Sequence, residues 1–195
     1  MSVGPVMEEI KLHLGCGGVR IEGFVNIDEI YLPSVDVVDN VQHLRRFEEG
    51  SVSLIYASNV LEHLGRWNYK MALERWRDLL KPGGILRLSV PDFKALCEYY
   101  METQDLKTMY CALYGGQDTK NNFHYWCWDF DTLKEDLLEA GFVNIRRYDR
   151  NKTEHGHVRD WSLNYMPYRD KEGRILPDEE WFKGKCVALN VECRK

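Results

Sequence analysis

The chain has 195 residues, of which 44% are hydrophobic and 29% charged, and its formal net charge is -5. These values indicate one globular domain and exclude a disordered chain. The acidic balance argues against nucleic acid as the main partner, because binding to a phosphate backbone relies on basic surfaces. No apolar run approaches the roughly 18 residues that cross a bilayer, so the sequence predicts no membrane span.

Six cysteines are scattered along the chain without a CxxC pair. The opening residues, MSVGPVMEEIK, have neither the basic segment nor the apolar segment of a secretion signal. We therefore expect reduced thiols and a cytoplasmic location.

Short apolar runs alternate with helical patterns along the chain. The first five runs predict strands: IKLHLG, FVNIDE, VDVVDNV, SVSLIYASN and ILRLSVPD. Before the fifth, WNYKMALERWRDLLKPGG has apolar residues near helical spacing and stops at Pro82-Gly83-Gly84. Helical material is predicted for residues 93 to about 114, and DFDTLKEDLLEAGF predicts a helix with an Asp N-cap and a C-cap at Gly141. FVNIRRYD and CVALNVECRK predict the last two strands.

This alternation predicts an α/β fold with a largely parallel sheet and helices on both faces. In such sheets, ligands bind beyond the carboxyl ends of the strands. Candidate residues follow the strands at residues 15–18, Asp28, Asp39, residues 58–63 and Asp92. The charged and aromatic segment 150–185 is long enough to be a functional flap over the core, with a surface excursion as the alternative.

The glycine cluster LGCGG after the first strand has three interpretations. A P-loop needs Lys and then Ser or Thr after its last glycine, but Val19 and Arg20 follow Gly18. A dinucleotide site needs a third glycine and a long helix that holds a pyrophosphate, and only five residues separate Gly18 from Phe24. S-adenosylmethionine has no phosphate, and it needs close backbone approach and an acid on its ribose. Asp28, at the end of the second strand, suits that role.

The ordered set LHLGCGG, NIDE, SVSLIYASNVLEHL, LLKPGGILRLSVPD and LLEAGF resembles the class I S-adenosylmethionine-dependent methyltransferases over residues 11–149. The resemblance implies a Rossmann-like fold with a seven-stranded, mostly parallel sheet whose last strand is antiparallel. It also implies a single domain, 1–195, with a helical insert at about 93–128 and the flap at about 150–185 over the acceptor site. The short link from Gly18 to Phe24 departs from the family, since it leaves little room for the usual first helix.

The same resemblance places the cofactor, which becomes S-adenosylhomocysteine, against residues that follow the first four strands. These residues are Gly15, Cys16 and Gly17 at the methionine moiety, Asp28 on the ribose, Asp39 and Asn40 near the adenine, and Ser58 and Asn59 beside the cofactor.

Methyl transfer from a sulfonium is an in-line displacement, and a hydroxyl acceptor needs a base to take its proton. The candidate catalytic residues are His124, Asp92 and His63. Within the class I family, where the chain as a whole is type 11-like, the stretch YGGQDTKNNFHYWCWDFDTLKEDLLEAGF, which contains His124, resembles small methyltransferases found with glycan-assembly enzymes. The structural alternatives are an N-cap for Asp92, a helix-capping role for Glu62 and His63, and a surface or hydrogen-bonded role for His124.

Aromatic residues stack on sugar rings and exclude water, so four of them are candidate acceptor contacts. They are Tyr125, Trp126, Trp128 and, on the flap, Trp161, which has anchoring of the flap as an alternative. No compact cluster has metal-ligand spacing, so a divalent metal is not expected. The sequence predicts O-methylation of a sugar or glycan hydroxyl in glycan biosynthesis, with a deoxyhexose such as rhamnose suggested by family analogy. A small-molecule N-methyltransferase and a non-catalytic cofactor-binding subunit remain alternatives.

Overall fold

The computed structural model describes residues 9–167 and 169–195. Its strands are β1 (Ile10–Leu14), β2 (Val25–Asp28), β3 (Val37–Val38), β4 (Val52–Ser58), β5 (Leu80–Pro91), β6 (Val143–Arg147), β7 (Tyr165–Met166), β8 (Lys185–Cys186) and β9 (Ala188–Arg194). The main sheet has seven strands in the order β3-β2-β1-β4-β5-β9-β6, and β7 and β8 form a separate pair.

Six strands of the main sheet run in one direction, and β9 runs antiparallel between β5 and β6. The pairing of β9 with β5 extends from Ile85↔Arg194 to Pro91↔Ala188. The structure therefore confirms the predicted seven-stranded, mostly parallel sheet with an antiparallel last strand.

The α-helices are α1 (Asn68–Leu79), α2 (Phe93–Thr103), α3 (Leu106–Tyr114), α4 (Phe130–Glu139) and α5 (Asp178–Trp181). Three short 3-10 helices span Leu61–His63, Arg150–Lys152 and Trp161–Leu163. Along the described chain, no helix combines the length and the apolar character of a membrane span.

The helix α1 ends at Leu79, three residues before the predicted stop at Pro82. Leu80 is already extended, and β5 begins there rather than at Ile85 as the sequence suggested. A proline disfavours helical backbone in the residue before it, so the chain leaves the helix early and runs extended through the proline. Regular pairing with β4 still begins at Leu54↔Ile85, as the predicted strand implied.

The helix α4 begins and ends close to the predicted residues. Asp129 is its N-cap, and the Asp129 carboxylate accepts a hydrogen bond from the Thr132 backbone N–H at 2.9 Å. The Thr132 hydroxyl accepts in turn from the Asp129 backbone N–H, which completes a capping box. Gly141 follows the C-cap Ala140 and has a φ of +88°, a backbone conformation that favours glycine.

One face of the sheet packs against helices. Trp76 of α1 and Leu133 of α4 are fully buried in the main core, together with Ile55, Leu88 and Val191 from the sheet. This core fixes the sheet, and the carboxyl ends of its parallel strands then lie along one edge.

The other face of β4 packs against irregular chain. The link between β1 and β2 forms turns, as its length predicted, and it contributes Ile21 and Phe24 to a cluster with Tyr56. The flap covers this cluster. Val158 packs against it, and the buried ring of His155 lies 4.1 Å from the Tyr56 ring, centroid to centroid.

The helical insert and the second half of the flap pack on each other. A small core joins Leu96 and Tyr99 of α2, Met109 of α3, Met166 of β7 and Val187. The insert and the flap therefore form one structure beside the carboxyl ends of the main sheet.

Candidate functional site

A cavity of about 500 Å³ opens at the carboxyl ends of β1, β2 and β4. Five of the predicted cofactor residues line this cavity: Gly15, Gly17, Asp28, Asn40 and Asn59. We call it the first cavity.

The backbone after β1 comes close to both its neighbours and the first cavity. Gly15 has a φ of +59°, and a side chain there would overlap the side chain of Val60. Gly17 has a φ of +50°, and a Cβ on it would meet no protein atom within 4 Å. Glycine at residue 17 therefore leaves space for a ligand rather than for another part of the described chain.

The carboxylate of Asp28 is held at the end of β2 by two backbone donors. The N–H of Gly17 donates to Oδ2 at 2.9 Å, and the N–H of Ile30 donates to Oδ1 at 3.0 Å. Each oxygen keeps a lone pair for another donor, such as a ribose hydroxyl. Asp28 thus combines a fixed position with remaining acceptor capacity.

Asp39 and Asn40 have different roles from each other. Asn40 lines the first cavity, whereas Asp39 accepts a hydrogen bond from the Asn40 N–H at 2.8 Å through Oδ1. The described residues that line the two cavities do not include Asp39, although its Oδ2 is buried without a hydrogen-bond partner among the described residues. Of this predicted pair, the structure therefore places Asn40 at the first cavity and Asp39 behind it.

A second cavity of about 500 Å³ adjoins the first. The sheet contributes Cys16 and Ser58, the insert contributes His124, and the flap contributes Asp160 and Trp161. The two cavities share five lining residues: Gly15, Gly17, Asn59, His63 and Asn122. They are therefore two connected parts of one site.

Cys16 and Ser58 are small groups at the junction of sheet and second cavity. Burial raises the pKa of the Cys16 thiol to about 12, so the thiol is protonated at neutral pH and is no nucleophile. The Ser58 hydroxyl is buried near Tyr56 and makes no well-formed hydrogen bond among the described residues. A ligand in the second cavity can provide a partner.

Three side chains that can transfer protons or bind metals lie close together at the wall between the cavities. Glu62 and His63 lie on the 3-10 helix after β4, and His124 lies on the loop after α3. The rings of His63 and His124 meet edge to face with centroids 4.7 Å apart. One potential ligand atom from each of the three residues lies within 4.8 Å of the others. The expectation that no compact cluster exists is therefore wrong.

Burial changes the charge state of this cluster. It raises the pKa of Glu62 to about 8 and lowers the pKa of His124 to about 4. The pKa of His63 is also lowered by burial. Both imidazoles are consequently neutral at pH 7 and retain a lone pair.

Two predicted residues lie elsewhere because they serve the fold. Asp92 caps α2 through the Ala95 N–H, and both terminal nitrogens of Arg147 donate to its Oδ2 at 3.1 Å. Trp128 is 1% exposed in the main core and donates to Asp136 at 2.8 Å. Neither occurs among the described residues that line the cavities, so the structure gives them no catalytic or acceptor role.

The other predicted aromatic residues lie at three different places. Trp161 lines the second cavity and is 54% exposed, whereas Tyr125 lines the first cavity. Trp126 packs partly buried against the main core beside Tyr69, away from the described lining of both cavities. Of the four predicted aromatic residues, only Trp161 therefore lines the second cavity.

Sequence reasoning missed several residues of the second cavity, including Asp118, Asn122 and Asn164. It also assigned Glu62 to helix capping, although Glu62 is fully buried. The adjacent Glu62 and His63 in LEHL were the sequence feature that could have indicated a cluster. Their partner His124 is about sixty residues away, so the sequence does not show that the three meet.

Comparison with known proteins identifies the family of the chain. The family model described as a methyltransferase domain (Methyltransf_23) matches residues 10–147. The matched segment contains the glycine cluster, Asp28 and His124, and the flap lies beyond it. No curated protein sequence is significantly similar to this chain.

Solved methyltransferase structures share the fold at low sequence identity. A Methanosarcina mazei S-adenosylmethionine-dependent methyltransferase is 14% identical with a TM-score of 0.56, covering 97% of this chain and 94% of that one. An Archaeoglobus fulgidus S-adenosylmethionine-dependent methyltransferase is 12% identical with a TM-score of 0.55, covering 96% and 86%. The Burkholderia thailandensis 1,6-didemethyltoxoflavin-N1-methyltransferase, solved with 1,6-didemethyltoxoflavin and S-adenosylhomocysteine, is 18% identical with a TM-score of 0.56, covering 95% and 70%. Since the family model spans more than half of the chain, the protein belongs to this methyltransferase-domain family and is a class I S-adenosylmethionine-dependent methyltransferase.

Proposed function

We propose that this methyltransferase transfers a methyl group to a hydroxyl of a small or carbohydrate acceptor bound in the second cavity. The observation that carries the proposal is the shared wall of the two cavities. A cofactor in the first cavity would present its sulfonium at this wall, directly opposite an acceptor in the second. Such an arrangement suits in-line displacement.

The cofactor would lie along the ends of the strands. In this proposal Asp28 binds the ribose hydroxyls and Asn40 lies near the adenine. The methionine moiety passes Gly15, Cys16 and Gly17 and reaches Ser58 and Asn59 at the wall. The two hydrogen bonds that fix Asp28 support this, because a preorganised carboxylate loses little freedom when it binds a ligand.

The reaction forms a bond from the acceptor oxygen to the methyl carbon and breaks the bond from that carbon to sulfur. The electron pair returns to sulfur and gives S-adenosylhomocysteine. The acceptor proton must leave, and we propose that the cluster of Glu62, His63 and His124 withdraws it. Its support is geometric: His124, a predicted catalytic residue, lines the second cavity, and its ring meets that of His63 with centroids 4.7 Å apart. Burial keeps the His124 ring neutral at pH 7, and its lowered pKa makes it a weaker base than an ordinary histidine.

The lining of the second cavity supports a sugar acceptor. Trp161 presents a half-exposed indole, and Asp118, Asp160 and Asn164 add polar groups beside it. An aromatic face next to hydrogen-bonding groups suits a ring that has one apolar face and several hydroxyls. A deoxyhexose such as rhamnose, with its methyl group, is the first acceptor to test. The six cysteines, all free thiols, support the proposed cytoplasmic location.

The test is a screen for release of S-adenosylhomocysteine with nucleotide sugars, short glycans and small amines as acceptors. Turnover with a hydroxyl acceptor, and a methyl ether in the product by mass spectrometry, is the expected result. Turnover with amines alone would make the protein an N-methyltransferase. Tight cofactor binding without turnover on any acceptor would favour the cofactor-binding subunit.

A further inference from the structure

We propose that Glu62, His63 and His124 form a binding site for a zinc-type divalent metal ion at the wall between the two cavities. Their potential ligand atoms lie within 4.8 Å of one another, close enough to converge on one ion after small side-chain rotations. Two imidazoles and one carboxylate are a donor set that zinc uses when it keeps a coordination position open. Magnesium and calcium prefer oxygen ligands, so two histidines disfavour them.

Glu62 is the first argument for an ion. Its side chain is 0% exposed, and neither carboxylate oxygen makes a well-formed hydrogen bond within the described parts of the chain, although the Asn59 side chain lies near it. A buried carboxyl group without a partner is destabilising, and native structures rarely contain one without a reason. A cation between Glu62 and the histidines would provide the missing partner.

The hydrogen bonds of the two histidines are the second argument. Nδ1 of His63 lies 3.1 Å from the Phe123 carbonyl oxygen, and Nδ1 of His124 lies 2.9 Å from the Ala112 carbonyl oxygen. A carbonyl only accepts, so Nδ1 carries the proton in both rings and Nε2 keeps its lone pair. Histidines that bind metals show this arrangement, in which one ring nitrogen donates to the protein and the other binds the ion.

The backbone around the cluster is the third argument, because it holds distant ligands together. The Tyr125 N–H donates to the Glu62 carbonyl at 2.8 Å, and the His124 N–H donates to the Tyr114 carbonyl at 3.1 Å. Gly115, with a φ of +77°, lets the loop close, since any side chain there would overlap the Asn122 carbonyl. The loop that carries His124 is thus fixed against the 3-10 helix that carries the other two ligands.

The open coordination position would face the acceptor. His63 lines both cavities and His124 lines the second, so an ion between them is accessible from the reaction site. An acceptor hydroxyl bound to that ion would have a lowered pKa and would release its proton to water, so a metal-loaded cluster would act through the ion and not as the base itself. This consequence rests on the proposed function, whereas metal binding itself does not.

The experiment measures binding of Zn²⁺ and Co²⁺ to the chelator-treated full chain, by calorimetry and by the visible absorption of Co²⁺. One ion per chain is expected for the wild type and for His157→Ala, a control at an exposed histidine. Glu62→Gln and His124→Gln should weaken binding by more than the roughly 10–100-fold lost with an outer partner. Mg²⁺ should not compete.

Absence of stoichiometric binding to the wild type, or unchanged affinity in both ligand variants, would overturn the proposal. S-adenosylhomocysteine binding by each variant shows whether it is folded. If the variants do not fold, X-ray absorption of the zinc-loaded wild type decides: two imidazoles around zinc are expected, and a shell without imidazole overturns the site. None of these measurements needs an acceptor, so the metal site and the methyl acceptor are tested separately.

Discussion

The two cavities lie side by side, but the chain builds them in different ways. The first is lined by residues that directly follow strands, such as Gly15 after β1 and Asp28 at the end of β2. The second takes residues from the sheet, from the insert and from the flap, including Ser58, His124 and Trp161. Parallel strands bring their carboxyl ends to one edge by geometry alone, whereas insert and flap reach the site only through tertiary contacts.

This difference suggests a division of labour. A cavity built on strand ends is rigid and suits a cofactor that is the same in every reaction of a family. A cavity built from an insert and a flap can change without disturbing the sheet, so it suits an acceptor that differs between relatives. The predictions below test whether the two cavities separate in this way, beginning with the largest effect.

Replacing His124 should slow methyl transfer and leave the first cavity intact. His124→Ala removes the imidazole at the wall of the second cavity, so kcat should fall by roughly 10²–10⁴-fold. Affinity for S-adenosylhomocysteine, measured by calorimetry, should stay within about twofold of the wild type, and His157→Ala is the control. A folded His124→Ala enzyme with normal turnover would contradict the proposed role of the cluster.

Replacing Asp28 should have the opposite effect. Asp28→Ala removes the proposed ribose ligand, and a hydrogen bond to a charged group contributes roughly 1.5–3 kcal/mol. Affinity for S-adenosylmethionine should therefore fall by about 10–150-fold, while kcat at saturating cofactor changes little. Asp131→Ala, at an exposed acid in the first turn of α4, is the control. Unchanged affinity in the folded Asp28→Ala protein would remove the ribose assignment.

The same difference explains what the sequence could predict. The seven strands of the main sheet, and the glycines and acid at the first cavity, follow from local patterns, because each strand is a short apolar run with its glycine or acid attached. The antiparallel direction of the last strand was predicted only by the resemblance to the methyltransferase family. Asp92 shows where this reasoning fails. Its position directly after β5 resembles that of Asp28 at the end of β2, yet Arg147 and the α2 N-terminus already occupy its carboxylate.

The aromatic stretch around His124 fails for a similar reason. Aromatic and polar residues are mixed along a segment without regular secondary structure. No helical or strand periodicity therefore predicts which rings face the core. Trp128 is buried because Asp136 accepts from its indole and Tyr69 packs against it. The grouping of Glu62, His63 and His124 depends on a loop closure at Gly115 that no local pattern encodes.

The pH dependence of stability tests whether the first part of the flap belongs to the folded core. Burial against Tyr56 and Phe24 lowers the pKa of His155 from 6.5 to about 4. Above pH 6.5 the folded and unfolded chains both hold it neutral, so its full contribution to stability is present. As the pH falls from 6.5 to about 4, the unfolded chain binds the proton first and the free energy of unfolding decreases.

His155→Phe should keep the aromatic packing and remove this part of the acid sensitivity. Urea unfolding at several pH values should show a smaller loss of stability for the variant, by about 3 kcal/mol between neutral pH and pH 4. His157→Phe, at the exposed histidine two residues away, should match the wild type. If the free energy of unfolding falls equally with pH in His155→Phe and the wild type, this part of the flap is not closed over the sheet in solution.

The smallest effect concerns the acceptor surface alone. Trp161 is half exposed at the second cavity, and the 3-10 helix that carries it is fixed by Asp160, which caps Ser162 and accepts from Tyr56 at 2.7 Å. The backbone that carries Trp161 is therefore held in place by Asp160, and the exposed indole itself contributes little to folding. Trp161→Ala should raise KM for a sugar acceptor by about tenfold, equivalent to about 1.4 kcal/mol of stacking. Cofactor affinity and the free energy of unfolding should change little.

Trp67→Ala, at a tryptophan that is 72% exposed and lies outside the described lining of both cavities, is the matched control. A loss of stability without a change in KM would instead show that Trp161 anchors the flap, and the acceptor would then be held by the polar groups of the second cavity.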